Sequence, residues 1–394
     1  GDASAASGGM FAGAAGASNS GGRAPFGGAD NGGRDAGRGG AAFAGGAGEA
    51  EAGSAGDATD PGTCAATVPA DGVTGALQAA IDAASVPSTL CLKGGGHRGD
   101  VTLRAGVSLR GEGWATIICG TVNGDAATSG MTTLSQLQIA GEFSAGGSVK
   151  LSLRDLEINT GHTAVCAPAS TATRFIHDGA GALQLLIDGV TIGSPGFEIA
   201  IEPGVGPIDD NIVLRNSRCD STSQCYDFLR FTFDTAPAAQ VAAGSRIVLD
   251  VYNNVVRNVV LEGVVFELRG GMNHEDSASS RLWFRHNTLA SAGDLNSAVA
   301  FWTEPTLPVV LANNAIAYIA KPVLGGDALG ITDVGNVYSD DESSTAWFDD
   351  FPLGDFSPSA GSPLIGAGAD AYGVPTDITG KARTGGFDSG AYQR

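Results

Sequence analysis

A chain of 394 residues has room for two average domains, but Asp, Glu, Lys and Arg make up only 16 % of it, against about 25 % in ordinary globular domains. Its net charge of −20 argues against a nucleic-acid partner, whose phosphates need a basic face, and against anionic membranes. Neutral glycans, cations or simple solubility all fit that charge.

Residues 1–62 are about one-third Gly, with Ala, Ser, Asp and Asn supplying most of the rest. Such a segment cannot bury enough apolar surface to offset its backbone entropy, which predicts a flexible linker. Yet Phe11, Phe26 and Phe43 recur at near-equal intervals, each followed by a Gly/Ala run. Evenly spaced aromatic anchors on a Gly-rich strand suit docking onto a neighbouring subunit, so linker and docking tail both stand. Gly1 is not an initiator Met, and no stretch reads as a signal peptide or membrane span. We therefore expect a processed product.

From Val73 to Ala84, apolar residues fall at Ala76, Leu77, Ala80, Ile81 and Ala84, a helical spacing with Thr74 as N-cap. This helix is expected to cover the open end of the first coil and to blunt an exposed strand edge. Leu90-Cys91-Leu92 reads as a short strand and Gly94-Gly95-Gly96 as a loop. Residues 99–337 then carry about nine blocks of alternating apolar residues, each closing on Asn or Gly. One such strand-turn-strand unit cannot bury its apolar face alone, whereas stacked units can, so the expected fold is an all-β solenoid. We place it at 63–345, with 346–394 as a closing segment.

Two stretches carry a resemblance. The run GALQAAIDAA…TLCLKGGGHRGDVTLRAGVSLRGEGWATIICG resembles the cap and first coils of pectin-lyase-like right-handed parallel β-helix proteins. The run GSPLIGAGAD…TDITGKARTGGFDSGAY resembles the closing segment of secreted bacterial β-helix proteins of the choice-of-anchor Q type. The matching residues there are Ser362, Pro363, Gly366, Asp377, Gly380, Arg383, Asp388, Gly390, Ala391 and Tyr392. The usual Glu is Gln393, and the Asp of the first motif is absent. The resemblance covers about 62–394 and implies the fold more than any activity. In such coils, Asn159, Asn216, Asn254, Asn287, Asn314 and Asn336 are expected at turns, taking the left-handed conformation and bonding along a ladder.

Cys64, Cys91, Cys119, Cys166, Cys219 and Cys225 form an even set without zinc spacing. Three disulfides in an oxidising compartment are favoured over buried thiols, with Cys219–Cys225 stapling a loop and Cys64–Cys91 tying down the start of the domain.

Chemistry is harder to find. Leu282-Trp283-Phe284-Arg285-His286-Asn287 looks like the W-I-D-H-N strand of pectate lyases, but Arg285 stands where the Asp would be and no R-x-P-x-x-R is present. We read it as a common strand-turn unit. Asp209 and Asp210 match the adjacent Asp pair of polygalacturonase-type enzymes, whose N-T-D, G-H-G and R-I-K motifs are missing here, and read better as a turn. The remaining candidates are Asp220, Asp227 and Arg230 for catalysis, with Arg215 and Tyr226 for a glycan, should Arg215 and Arg230 fall on neighbouring coils. His177-Asp178 is a further acid/base candidate. Asp340-Asp341-Glu342 and Asp349-Asp350 could hold a calcium ion, though solvated loops explain them as well, and no other cofactor is implied.

Two functions fit these residues. One is a non-catalytic extracellular or cell-surface protein, self-assembling into oligomers or filaments through its tail. The other is a polysaccharide lyase, glycoside hydrolase or glycan binder.

Overall fold

The computed structural model describes residues 63–70, 73–124, 130–158, 166, 173–193, 197–219, 228–233, 244–257, 264–269, 280–291, 299–303, 308–319, 321–325 and 331–394. All lie in the second of the two units into which the chain divides, Gly53–Arg394. The tail with Phe11, Phe26 and Phe43 is outside them, as are Asn159, Asp220, Cys225, Tyr226 and Asp227.

This unit is a right-handed parallel β-helix. Each complete coil passes through three parallel sheets. Sheet 1 runs from Ser88–Leu92 to Ile331–Val334, sheet 2 from Gly95–Arg98 to Val337–Ser339, and sheet 3 from Val101–Leu103 to Lys321–Gly325. The 19-residue strand Phe197–Arg215 rounds the corner between sheets 3 and 1. Strand pairs lie in register, so like side chains stack into columns. Leu109, Leu134, Leu153, Ile187, Leu214, Val251, Phe284 and Leu311 form one inward column, fully or almost fully buried. Burying each such side chain contributes roughly 1.5–3 kcal/mol, and the column is why the alternating blocks recur. It ends on Asp333, which is exposed and accepts hydrogen bonds from Asn336 Nδ2 at 2.7 Å and Tyr338 Oη at 2.9 Å.

At the other end α1 (Ala76–Ala83) buries Leu77 and Ile81 against the first coil, as its spacing predicted. Its N-cap is Gly75, not Thr74: the chain enters with φ +90°, and no side chain caps the helix. Gly95 and Gly96 are not loop but begin the strand Gly95–Arg98. A Cβ at Gly95 would lie 2.5 Å from Ala70 Cβ, so only Gly allows that approach.

The corner between sheets 1 and 2 divides between two residues the work expected of one. Asn216, Asn253, His286 and Asn313 take the left-handed conformation, with φ of 51–58°. The residue after each forms the ladder. The backbone N–H of Ser217 bonds Asn254 Oδ1 (2.9 Å), that of Asn254 bonds Asn287 Oδ1 (3.0 Å), that of Asn287 bonds Asn314 Oδ1 (2.9 Å), and that of Asn314 bonds Asn336 Oδ1 (2.7 Å). The Nδ2 groups also bond carbonyls of Leu214, Val251, Phe284 and Leu311. Asn216 therefore stands in the turn column and outside the ladder.

Cys64–Cys91 and Cys119–Cys166 are disulfides, and Cys219 is disulfide-bonded too. The first is the tie the sequence suggested. From Glu342 onward the chain lies along the outer side of the last coils of sheet 2. Phe348, Phe351, Phe356, Leu364 and Ala391 form an apolar cluster there with Val255, Ala290, Ala315 and Ala317. Arg383 is buried among backbone carbonyls, donating from Nη2 to Asn253 Oδ1 (3.0 Å), Gly390 O (3.0 Å) and Ala391 O (3.1 Å). Asp388 accepts from the N–H of Gly366 and of Arg394, both at 2.8 Å, and Asp377 from those of Thr379 and Lys381, both at 2.9 Å. The residues that carry the closing-segment resemblance are thus structural locks.

Candidate functional site

Alternation along sheet 1 sends every second side chain outward, and register turns these into rows running along the solenoid. One row is Cys91, Arg110, Ser135, Arg154, Asp188, Arg215, Tyr252 and Arg285. A neighbouring row brings Asp250 beside Trp283, and a third holds Lys150, Gln184, Asn211, Val248 and Arg281. The face carries Arg110, Lys150, Arg154, Arg215, Arg246, Arg281 and Arg285 against Asp188, Asp209 and Asp250. A chain of net charge −20 thus presents a locally cationic strip.

The strip is rigid where it is richest. Arg215 donates to Asp188 Oδ2 (2.8 Å) and Tyr252 Oη (3.2 Å), and Asn216 Nδ2 donates to Asp188 Oδ1 (2.8 Å). Burial opposes the Arg215 charge, but these bonds more than offset it and hold its pKa above the ordinary value. Burial raises the Tyr252 hydroxyl pKa, with Arg215 pulling the other way. Arg285 grips Asp250 through two bonds, Nε to Oδ1 (3.1 Å) and Nη2 to Oδ2 (2.5 Å). Its guanidinium lies 4.7 Å from the Trp283 ring centroid and 5.5 Å from that of Tyr252. Arg281 lies 4.3 Å from the Trp283 centroid, so two cations flank one indole. Tyr372, from the closing segment, meets the indole edge-on at 6.2 Å. Arg281 is half-buried and faces no carboxylate among the described residues.

Such an arrangement can hold an anion. Each of its three carboxylates is engaged, Asp209 by Arg246 Nη1 at 3.1 Å. One further carboxyl, Asp155, stands exposed at the turn beside the strip, where its backbone takes a φ of 49°. Burial and the Asp188 charge raise its pKa, with Arg154 opposing.

Of the candidate site residues singled out from the sequence, Arg215 and Asp209 belong to this face. Asp209 and Asp210 are not a turn. They sit within the strand Phe197–Arg215, where alternation points Asp209 outward and Asp210 inward. Asp210 is sealed from solvent, bonded to His177 Nδ1 (2.9 Å) and the Leu183 N–H (3.1 Å), while His177 Nε2 meets Gly147 O at 3.1 Å. This dyad pins two coils and cannot meet a substrate. Arg230 does not neighbour Arg215: it lies on sheet 3 beside Glu198, which pairs with Arg174 at 3.1 Å. Asp341 and Asp350 cap short 3₁₀ turns, accepting from Ser343 N and Leu353 N. Among the described residues no three His, Cys, Asp or Glu side chains converge on a point that could hold a metal.

Sequence reasoning missed Asp250, Tyr252, Arg281 and Tyr372, and read Trp283-Phe284-Arg285 as plain strand. A signal was present. Arg215, Tyr252 and Arg285 each stand two residues before a ladder residue, Ser217, Asn254 or Asn287. Aligning coils on that column displays the row.

No family model and no curated protein matches this chain. Two solved structures show likeness. A pectate lyase, Pel9A, aligns over 84 % of this chain and 97 % of its own with 11 % identity and a TM-score of 0.38. A pectin methylesterase in complex with a hexasaccharide aligns over 76 % and 99 % with 12 % identity and a TM-score of 0.24. Likeness at that level bears on fold alone.

Proposed function

We propose that this is a non-catalytic, extracellular β-helix protein that binds an acidic polysaccharide along the outer face of sheet 1. The cationic strip on an otherwise acidic chain carries this reading. Coils repeat about every 4.8 Å and the row carries an Arg on every second one, so an extended polyanion can meet guanidinium groups about 10 Å apart. Tyr252, Trp283, Asp188 and Asp250 hold those groups in place beforehand, which lowers the ordering cost of binding. The disulfides fit an oxidising compartment. Engagement of Asp188, Asp209 and Asp250 by arginines favours binding over hydrolysis.

Affinity electrophoresis in gels containing a polyuronate or a neutral glucan tests it. The wild type should be retarded by the polyuronate alone, less so as salt rises. Arg281→Ala with Arg285→Ala should weaken retention at least about tenfold, consistent with two lost charge-assisted contacts. Equal retention by both polymers, or no change in the double variant, refutes the binding face. New reducing ends in the polyuronate would instead make the protein an enzyme.

The tail supports a second, independent part of the proposal: association of copies through Phe11, Phe26 and Phe43. The support is their even spacing in the sequence.

A further inference from the structure

We propose that the Cys64–Cys91 disulfide is a thiol–disulfide exchange site, opened by a dithiol reductant, that controls whether the N-terminal segment is covalently held to the first coils. Cys64 precedes the first described strand, Ala66–Val68, and Cys91 lies on the strand beside it. On the next coil, in register with Cys91, stands Arg110. Its Nη2 lies 3.1 Å from Cys64 Sγ and 3.3 Å from Cys91 Sγ. A disulfide sulfur is a weak acceptor and gives a guanidinium little. A thiolate sulfur gives it a full charge to bind. Arg110 therefore stabilises the thiolate that leaves when the bridge is attacked, whichever sulfur that is.

Both sulfurs belong to half-buried residues, within reach of a reductant. The Cys119–Cys166 bridge differs. It sits in an apolar cluster with Ile117 and Ala140, Cys166 is buried, and no Lys or Arg donates to either sulfur among the described residues. Cys219 is buried in the main core.

One thiolate of the reductant attacks a sulfur of the bridge, forming a mixed disulfide and releasing the other cysteine as a thiolate beside Arg110. The reductant's second thiol, deprotonated, displaces the mixed disulfide. Two electrons pass to the protein, two cysteine thiols result, and the reductant leaves as its own disulfide. What then holds the segment is one three-residue parallel ladder, Ala66–Val68 against Leu90–Leu92. Ala66 and Thr67 are exposed and only Val68 is buried, while the flanking bonds are Ala65 N to Thr89 O (2.8 Å) and Lys93 N to Val68 O (3.0 Å).

The test is a dithiothreitol titration of the full-length native protein, quenched with iodoacetamide and read by peptide mass mapping. Cys64 and Cys91 should become labelled at about one-tenth of the reductant concentration that labels Cys119 and Cys166. Arg110→Gln should raise the concentration they need several-fold, and Arg110→Lys should largely restore it. Joint labelling of both bridges, earlier labelling of Cys119 and Cys166, or an unshifted Arg110→Gln overturns the proposal. Should Arg110→Gln loosen the whole fold, the labelling rate of Cys64 against pH in partly reduced wild type decides. A thiol titrating well below its usual value of about 8.5 supports the proposal, and one at or above it refutes it.

Discussion

The ladder shows what one residue type can do when the backbone repeats. Asn287 Oδ1 accepts from the N–H and Nδ2 of Asn254, and its Nδ2 donates to Val251 O at 3.0 Å and Asn314 Oδ1 at 3.1 Å, all in a buried corner. Asn287→Ala would leave the Asn254 N–H and the Val251 carbonyl buried without those partners, at roughly 1–3 kcal/mol for each stranded group. We expect a loss of about 3 kcal/mol in urea unfolding, with an outward Asn211→Ala change as the control. A loss no larger than the control's would mean the ladder is ornamental. The sequence showed that these Asn recur after strands, and so predicted a ladder. It could not say that Asn216 belongs one column earlier, because Asn is equally suited to the left-handed turn and to the ladder.

At the scale of an element, the closing segment is joined to the solenoid through the turn column. Asn313 exchanges hydrogen bonds with Ala369, donating at 3.0 Å and accepting at 2.6 Å, and its Nδ2 also meets His286 Nε2 at 3.0 Å. His286 is fully buried against Phe387, their ring centroids 5.6 Å apart. Burial, then the charges of Arg383 and Arg285, hold its pKa down at about 2. The folded state therefore keeps His286 neutral, while the unfolded chain takes a proton near pH 6.5. Its contribution is fully present above pH 6.5 and is lost as pH falls below that value. Between pH 6.5 and 5 the loss approaches about 2 kcal/mol. Thermal melts across that window should fall accordingly, and His286→Asn, which tolerates the same backbone angle, should flatten the dependence. An unchanged slope in that variant would assign the acid sensitivity to other groups. Arg383, by contrast, is lowered by burial only to about 10, with Asp377 and Asp388 opposing, so it stays charged throughout. The same segment supplies Tyr372 to the cationic strip, which ties the site to the element that closes the coils.

For the whole molecule, assembly is the open prediction. Light scattering on the full chain and on a version lacking residues 1–60 should give polymers and monomers respectively, with the shortened protein still folded by circular dichroism. Monomers from both would make the tail a linker, and polymers from both would place the contact on the solenoid. The exposed Asp333 speaks against stacking through the last coil, since a carboxylate ends the apolar column there.

Period-two alternation, the Asn and Gly that close each block, and the helical spacing from Ala76 to Ala84 determine the solenoid and its cap, because each is a local demand of the backbone. The Cys64–Cys91 tie was readable too, as a bridge at the domain's start. Which side chains meet was decided only by tertiary register. Arg215 and Arg230 are 15 residues apart, yet the chain passes through the sheet 2 strand Arg218–Cys219 between them, and they fall on different sheets. Asp188, Arg215, Tyr252 and Arg285 are spread over nearly a hundred residues, and the stacking of coils makes them one row. A one-residue slip would have turned that row inward, so no set of motifs could stand in for the register itself.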